Sequence, residues 1–180
     1  MITWIEQAAA ASRRGQDARI ILKMNTLTDE SLMAALVEAG QAGVQIDLIV
    51  RGACMLPAQR AGFTDNIRVR SIIGRFLEHS RVFYFAAGKQ ESLYLSSADW
   101  MNRNMLRRVE LAWPVEDPKL RQRIFHECLQ TYLQDHVDAW VMHANGQYVR
   151  AAPPKSRSAT VKVYTSAQQQ LMTLYANSKN

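Results

Sequence analysis

Sulfur is scarce in this chain and long apolar segments are missing. Only two cysteines, Cys54 and Cys128, occur in 180 residues. That count excludes a disulfide framework and fits a reducing cytosol. No Cys/His pair has ligand spacing, which argues against a zinc site. No apolar run reaches membrane-spanning length. The opening residues, Met1-Ile2-Thr3-Trp4-Ile5-Glu6, lack the basic flank and apolar core of a secretion signal. Two nucleotide-binding signatures are also absent, G-x-x-x-x-G-K-[ST] and G-x-G-x-x-G. No Ser/His/Asp nucleophile pattern and no internal repeat is legible.

What remains is a globular composition, 48% hydrophobic and 21% charged. The length suits one domain with a tail: a domain over 1–150, then a linker and short terminal helix over 151–180. The net charge of +6 is concentrated. Between Arg51 and Arg108 there are ten Lys/Arg against four Asp/Glu, and the rest of the chain has twelve of each. A local basic field calls for a polyanionic partner, and its plainer reading is a solvated basic face.

The pattern predicts a helix over 2–12, a strand over 18–23 and a second helix capped by Thr28 or Asp29, with Gly43 just past its end. A nearly continuous apolar run over 44–50 reads as a buried parallel strand. Strand, helix and strand form a βαβ unit, and ligands gather beyond the carboxyl ends of such strands. Lys23, Asn25, Arg51 and Gly52 occupy those ends. Gly52 serves either a close approach to a ligand or a turn. Residues 67–72 alternate as a strand with one exposed basic face, Arg68 and Arg70. A hairpin around Gly88 pairs 81–85 with 92–95. Residues 108–113 read as a strand ended by Pro114. Pro118 opens a helix with a stripe of Leu120, Ile124, Cys128, Leu129, Tyr132 and Leu133. Pro153-Pro154 marks the linker, and a short helix follows over 166–176.

The densest polar grammar is Gly74-Arg75-Phe76-Leu77-Glu78-His79-Ser80-Arg81, followed by Ser96-Ser97-Ala98-Asp99-Trp100 and Asn102. An imidazole among guanidinium groups suits a phosphoryl site, because phosphoryl transfer is mostly positioning and charge stabilisation. His79 is the candidate to hydrogen-bond a phosphoryl oxygen or relay a proton. His126, His136 and His143 read as structural or solvated. Arg51 suits a phosphate clamp, or a pair with Asp47 or a helix end. Ser96, Ser97, Asp99 and Asn102 suit phosphate contacts or an ordinary helix cap.

These segments together resemble the C-terminal catalytic domain of bacterial polyphosphate kinases of the first type. The resemblance is carried by residues 18–25, 46–52, 66–72, 74–81 and 94–100, in order and spacing, and covers roughly 1–150. It implies an α/β fold, a phospholipase-D-like mixed sheet flanked by helices. It implies reversible transfer of the terminal phosphate of ATP to inorganic polyphosphate, with magnesium bound mainly by residues outside this chain. Arg51 and His79 then contact nucleotide phosphates, with Arg81, Lys23, Asn25 and Ser97 as further phosphate-binding candidates and Arg68, Arg70 and Arg75 contributing to the field. The histidine that becomes phosphorylated belongs to upstream domains absent here, so the chain by itself is expected to be incomplete. The resemblance also implies a cytoplasmic homo-oligomer. Arg81 and Ala86 stand where the phospholipase D motif has Lys and Asp, which argues against a phosphodiesterase. A non-catalytic module for polyphosphate or nucleic acid is the competing reading.

Overall fold

Alternation of apolar side chains along the strands sends one set to each side of a sheet. In the computed structural model, which describes residues 1–153 and 164–177, the strands form one eight-stranded mixed sheet. The elements are α1 (Ile2–Arg13), β1 (Ala18–Met24), α2 (Glu30–Gln41), β2 (Gln45–Val50), β3 (Ile67–Ile72), β4 (Arg81–Ala87), β5 (Gln90–Ser96), α3 (Asn102–Arg107) and β6 (Ala112–Pro114). Then come α4 (Pro118–Ile124), a π-helical segment (Phe125–Gln130), α5 (Thr131–Leu133), β7 (Ala139–Met142), β8 (Tyr148–Arg150) and α6 (Ala167–Asn177). The strand order is β6-β5-β4-β1-β2-β3-β7-β8. β1, β2 and β3 run parallel, and every other pairing is antiparallel.

One face carries Ile20, Leu22, Met24, Ile46, Leu48 and Val50, packed with Ile5, Ala8 and Ala9 of α1 and Leu32 and Leu36 of α2. The other carries Ile21, Ile49, Ile72, Val82 and Tyr84, packed with Leu129, Tyr132 and Ala167. The period-2 rule therefore turns Lys23 toward the second face, between Ile21 and the helix bearing Tyr132. Asp29 caps α2 by accepting from Leu32 N–H, and Gly43 takes a positive φ of 99° just past its end. Both agree with the cap grammar of the sequence.

Three sequence readings need correction. Arg70 is not part of an exposed basic face. Its guanidinium donates to the carbonyls of Tyr132 (3.2 Å) and Leu133 (2.5 Å), capping the C-terminal end of α5. The strand expected over 108–113 shrinks to Ala112–Pro114. Leu111 keeps one backbone bond, its carbonyl accepting from Ser97 N–H (3.0 Å) and also from Ser96 Oγ (3.0 Å), but its own N–H donates to a side chain, Ser97 Oγ (3.0 Å). The long helix from Pro118 contains a π segment, where Thr131 Oγ1 donates to His126 carbonyl at 2.8 Å. The extra residue per turn shifts the apolar stripe, so Leu120 is exposed while Leu129 and Tyr132 are buried.

The terminal helix appears as α6. Of the linker over 151–158, residues 154–158 lie outside the described residues. No helix among the described residues is long and apolar enough to cross a membrane.

The two cysteines are not reactive thiols. Burial pushes Cys54 up to about 11, and burial also raises Cys128. Alkylation of the native chain at neutral pH should be more than about tenfold slower than after unfolding, since only the thiolate attacks. Equal rates, followed by mass spectrometry, would contradict this.

Candidate active site

Topology brings the polar segments to one edge of the sheet. β1 and β2 end there, because they are parallel. β4 runs antiparallel to β1 with Lys23 opposite Val82, so it begins at that edge. β5 runs antiparallel to β4 with Ser96 opposite Arg81, so it ends there too. Asn25, Arg51, His79, Arg81 and Asp99 are consequently neighbours, although 74 residues separate Asn25 from Asp99.

The loop after β1 is pinned before any ligand arrives. Thr28 and Asp29 N–H donate to Trp100 carbonyl (2.8 and 2.9 Å), and Trp100 N–H donates to Thr26 carbonyl (3.1 Å). Trp100 itself is fully buried against Phe83. The sequence left Gly52 open between ligand approach and turn. In the structure its N–H donates to Asn25 carbonyl at 2.7 Å, and a Cβ there would lie 2.9 Å from that oxygen. The close approach is thus made by the chain's own backbone. Gly52→Ala should cost about 1–3 kcal/mol through the forced shift, read as a lower urea midpoint. An unchanged midpoint would mean the loop yields freely.

Asp99 is the hub. It accepts from Asn25 N–H (Oδ1, 2.8 Å), from Arg81 Nε (Oδ1, 3.1 Å) and from Arg81 Nη2 (Oδ2, 2.9 Å). Burial alone would raise its carboxyl, but the hydrogen bonds from Arg81 and the Asn25 backbone and the Arg81 charge bring it below its usual value. The helix-cap alternative for this segment falls away, since α3 begins after Met101 with no side-chain cap. Arg81 also donates to His79 carbonyl (3.1 Å), so its fork fixes the loop.

Asn25, only 6% exposed, lies between the two principal candidates. Its Oδ1 accepts from Arg51 Nε at 3.2 Å, and its Nδ2 lies 3.3 Å from His79 Nδ1. Arg51 does not pair with Asp47, which is engaged by Arg19 (2.8 Å) and Arg68 (4.0 Å). Arg51 terminal nitrogens and His79 Nε2 have no hydrogen-bond partner among the described residues. They are the open groups of the site.

Lys23 and Ser97 are engaged by protein partners. Lys23, 3% exposed, is a brace: Nζ donates to Glu78 (2.8 Å) and Ser80 (2.9 Å) and sits over the Tyr132 ring, 3.7 Å from its centroid. Ser97 Oγ bonds Glu110 and accepts from Leu111 N–H, and it makes no contact with His79 or Arg51 among the described hydrogen bonds. Arg75 is exposed in the same loop as His79.

Sequence reasoning missed the clamp on that loop. Gln168 of α6 donates to Phe76 carbonyl (2.9 Å) and Glu78 (2.6 Å) and accepts from Phe76 N–H (2.9 Å). Tyr132 donates to Glu78 at 3.0 Å, and burial followed by the Glu78 charge raises its phenol. Gly74 makes room for the clamp, since a Cβ there would lie 2.6 Å from Gln168 Oε1. A glutamine in a tail carries no local signal of such a role.

A divalent metal finds no ligand set here. No three His, Cys, Asp or Glu side chains converge among the described residues. Glu78 and Asp99 are already paired with Lys23 and Arg81.

Residues 1–162 match the family described as polyphosphate kinase C-terminal domain 2. The chain belongs to the polyphosphate kinase family. It is similar to polyphosphate kinase of Paraburkholderia phytofirmans, 51% identical over 156 residues, which cover 87% of this chain and 23% of that protein. The polyphosphate kinase of Pseudomonas aeruginosa is 51% identical over 166 residues, covering 89% and 24% respectively. The chain thus spans about a quarter of the length of these relatives. The crystal structure of polyphosphate kinase from Porphyromonas gingivalis superposes with a TM-score of 0.88 at 35% identity, covering 98% of this chain and 26% of that one. NucT from Helicobacter pylori shares the fold alone, at TM-score 0.50 and 11% identity over 71% of this chain and 87% of its own.

Proposed function

We propose that this chain forms one wall of a polyphosphate kinase active site, where the terminal phosphate of ATP is exchanged with inorganic polyphosphate. The single observation that carries this reading is that Arg51 and His79, whose terminal nitrogens and Nε2 have no partner among the described residues, are held together by one buried asparagine. Arg51 presents its fork to phosphoryl oxygens, where charge builds up in the transition state. His79 hydrogen-bonds a phosphoryl oxygen or relays a proton at Nε2. Exposed Arg68 and Arg75 add to the field that draws in polyanion. Lys23 and Arg81 contribute charge, and their hydrogen bonds make them braces for the His79 loop.

Upstream domains complete the site in this reading. They supply the phosphorylated histidine, most of the nucleotide pocket and the ligands for magnesium that accompanies ATP. The enzyme is read as a cytoplasmic homo-oligomer. Exposed Trp113 and Trp140, together with Val109, Leu111 and Leu77, suit burial against those domains.

The test is an ATP-to-polyphosphate assay on the 180-residue chain with magnesium, alone and mixed with the upstream domains. Activity only in the mixture supports a half-site. Activity from this chain alone would place a nucleophile here and overturn the division of labour. A polyanion-binding module without catalysis would show no activity in either case and a steep salt dependence of polyphosphate binding.

A further inference from the structure

Two groups with fixed hydrogen-bonding roles determine the state of a third across this site. Arg51 Nε carries one hydrogen and no lone pair for accepting, so the Asn25 atom 3.2 Å from it must be the carbonyl oxygen. The other end of the amide, the NH₂, then faces Asp99 Oδ1 at 3.3 Å and His79 Nδ1 at 3.3 Å. Asp99 confirms this orientation independently, because a carboxylate holding the Arg81 fork only accepts. Asn25 is itself immobilised, since its backbone N–H and carbonyl are engaged by Asp99 and by Gly52 N–H. A donor aimed at Nδ1 requires that nitrogen to be the acceptor. A neutral imidazole then carries its proton on Nε2.

We infer that Asn25 is a positioning residue that fixes the tautomer of His79, presenting Nε2–H as a hydrogen-bond donor at the open side of the site. The assignment rests on the hydrogen-bond geometry. Its relevance to phosphoryl transfer rests on the function proposed above. It explains why an uncharged side chain with both a donor and an acceptor lies buried between Arg51 and His79. A carboxylate of the same shape would accept from Arg51 and from the imidazole, drawing its proton to Nδ1 and leaving Nε2 as an acceptor facing anionic phosphate oxygens, while its other oxygen would be repelled by Asp99, 3.3 Å from the amide nitrogen it replaces.

The experiment reads the tautomer directly. The 180-residue chain is labelled with ¹⁵N, and histidine ring nitrogens are correlated to ring protons at a pH where the imidazole is neutral. His79 is assigned by the signals lost in His79→Gln. The expected result is an Nε2–H ring in the wild type and an Nδ1–H ring in Asn25→Asp. Should Asn25→Asp fail to fold, Asn25→Ala serves: both tautomers should then be populated where the wild type holds one. An Nδ1–H wild type, or a tautomer unmoved in a folded Asn25 variant, overturns the inference. A second arm adds the upstream domains and ATP. Asn25→Asp should lower kcat about tenfold or more with little change in KM, the loss expected for a mispositioned acid–base group. A reversed tautomer with unchanged kcat would leave the assignment standing and remove His79 from the proposed chemistry, so the two failures are distinguishable.

Discussion

Replacing Arg51 by Ala in the enzyme reassembled with its upstream domains should lower kcat by about 100-fold or more. Arg51 is half-buried and anchored through Nε to Asn25, and its terminal nitrogens have no hydrogen-bond partner among the described residues. A guanidinium held this way costs little reorganisation when charge develops on a transferring phosphoryl group. Losing one such preorganised donor typically costs about 2.7–4 kcal/mol of transition-state stabilisation. The effect should fall on kcat more than on KM, because the donor is aimed at charge that exists fully only in the transition state. The fold should survive, since Arg51 makes no ion pair among the described residues. Lys at this position should recover only part of the rate, as a point charge cannot reproduce the fork. A near-normal kcat for Arg51→Ala would remove Arg51 from the mechanism.

Asp99→Ala should be the most damaging change to stability at this edge of the sheet. It leaves the Arg81 guanidinium, 13% exposed, without its carboxylate, and leaves the Asn25 N–H without its acceptor. Breaking a buried pair by removing one partner costs about 3–5 kcal/mol. The measurement is the urea midpoint of the 180-residue chain, and a shift of under about 1 kcal/mol, the scale of a surface ion pair, would show that the hub is dispensable. The same carboxylate gives a pH signature. Its folded value lies below the ordinary 3.8, so its contribution is complete above that pH and is lost as the pH falls through the folded value. Wild type should therefore lose stability on acidification below about 4 more steeply than Asp99→Asn, which cannot titrate there. Parallel curves would assign acid sensitivity to other groups.

Much of this architecture was written in local pattern. The βαβ unit and the hairpin around Gly88 follow from apolar spacing and turn chemistry and appear where the pattern puts them, and of the two cap candidates, Thr28 and Asp29, the structure uses Asp29. The candidates at strand ends were legible for the same reason, since parallel strands end on one side. Side-chain partners were not legible. Lys23 and Arg70 look like free cations in sequence, yet the pleat turns Lys23 onto Tyr132 and Glu78, and helix carbonyls claim Arg70. The π segment escaped detection because apolar spacing over 118–133 reads as an ordinary helix, and Thr131, which bonds back to His126 carbonyl, gives no local signal of it. The role of Gln168 depends on a contact 92 residues away in sequence, which no local window contains.

That contact bears on how this domain can be cut and recombined. The family match ends at residue 162, while Gln168 and its helix lie beyond it. A fragment trimmed to the match would keep the whole eight-stranded sheet and still release Phe76 and Glu78. A chimera joined between the two would likewise pair one parent's histidine loop with another parent's helix. Gly74 and Gln168 then form a unit of inheritance, because any side chain at 74 meets the amide at 168. The practical border of the domain is set by the last side chain that holds the loop, ten or more residues past the final strand.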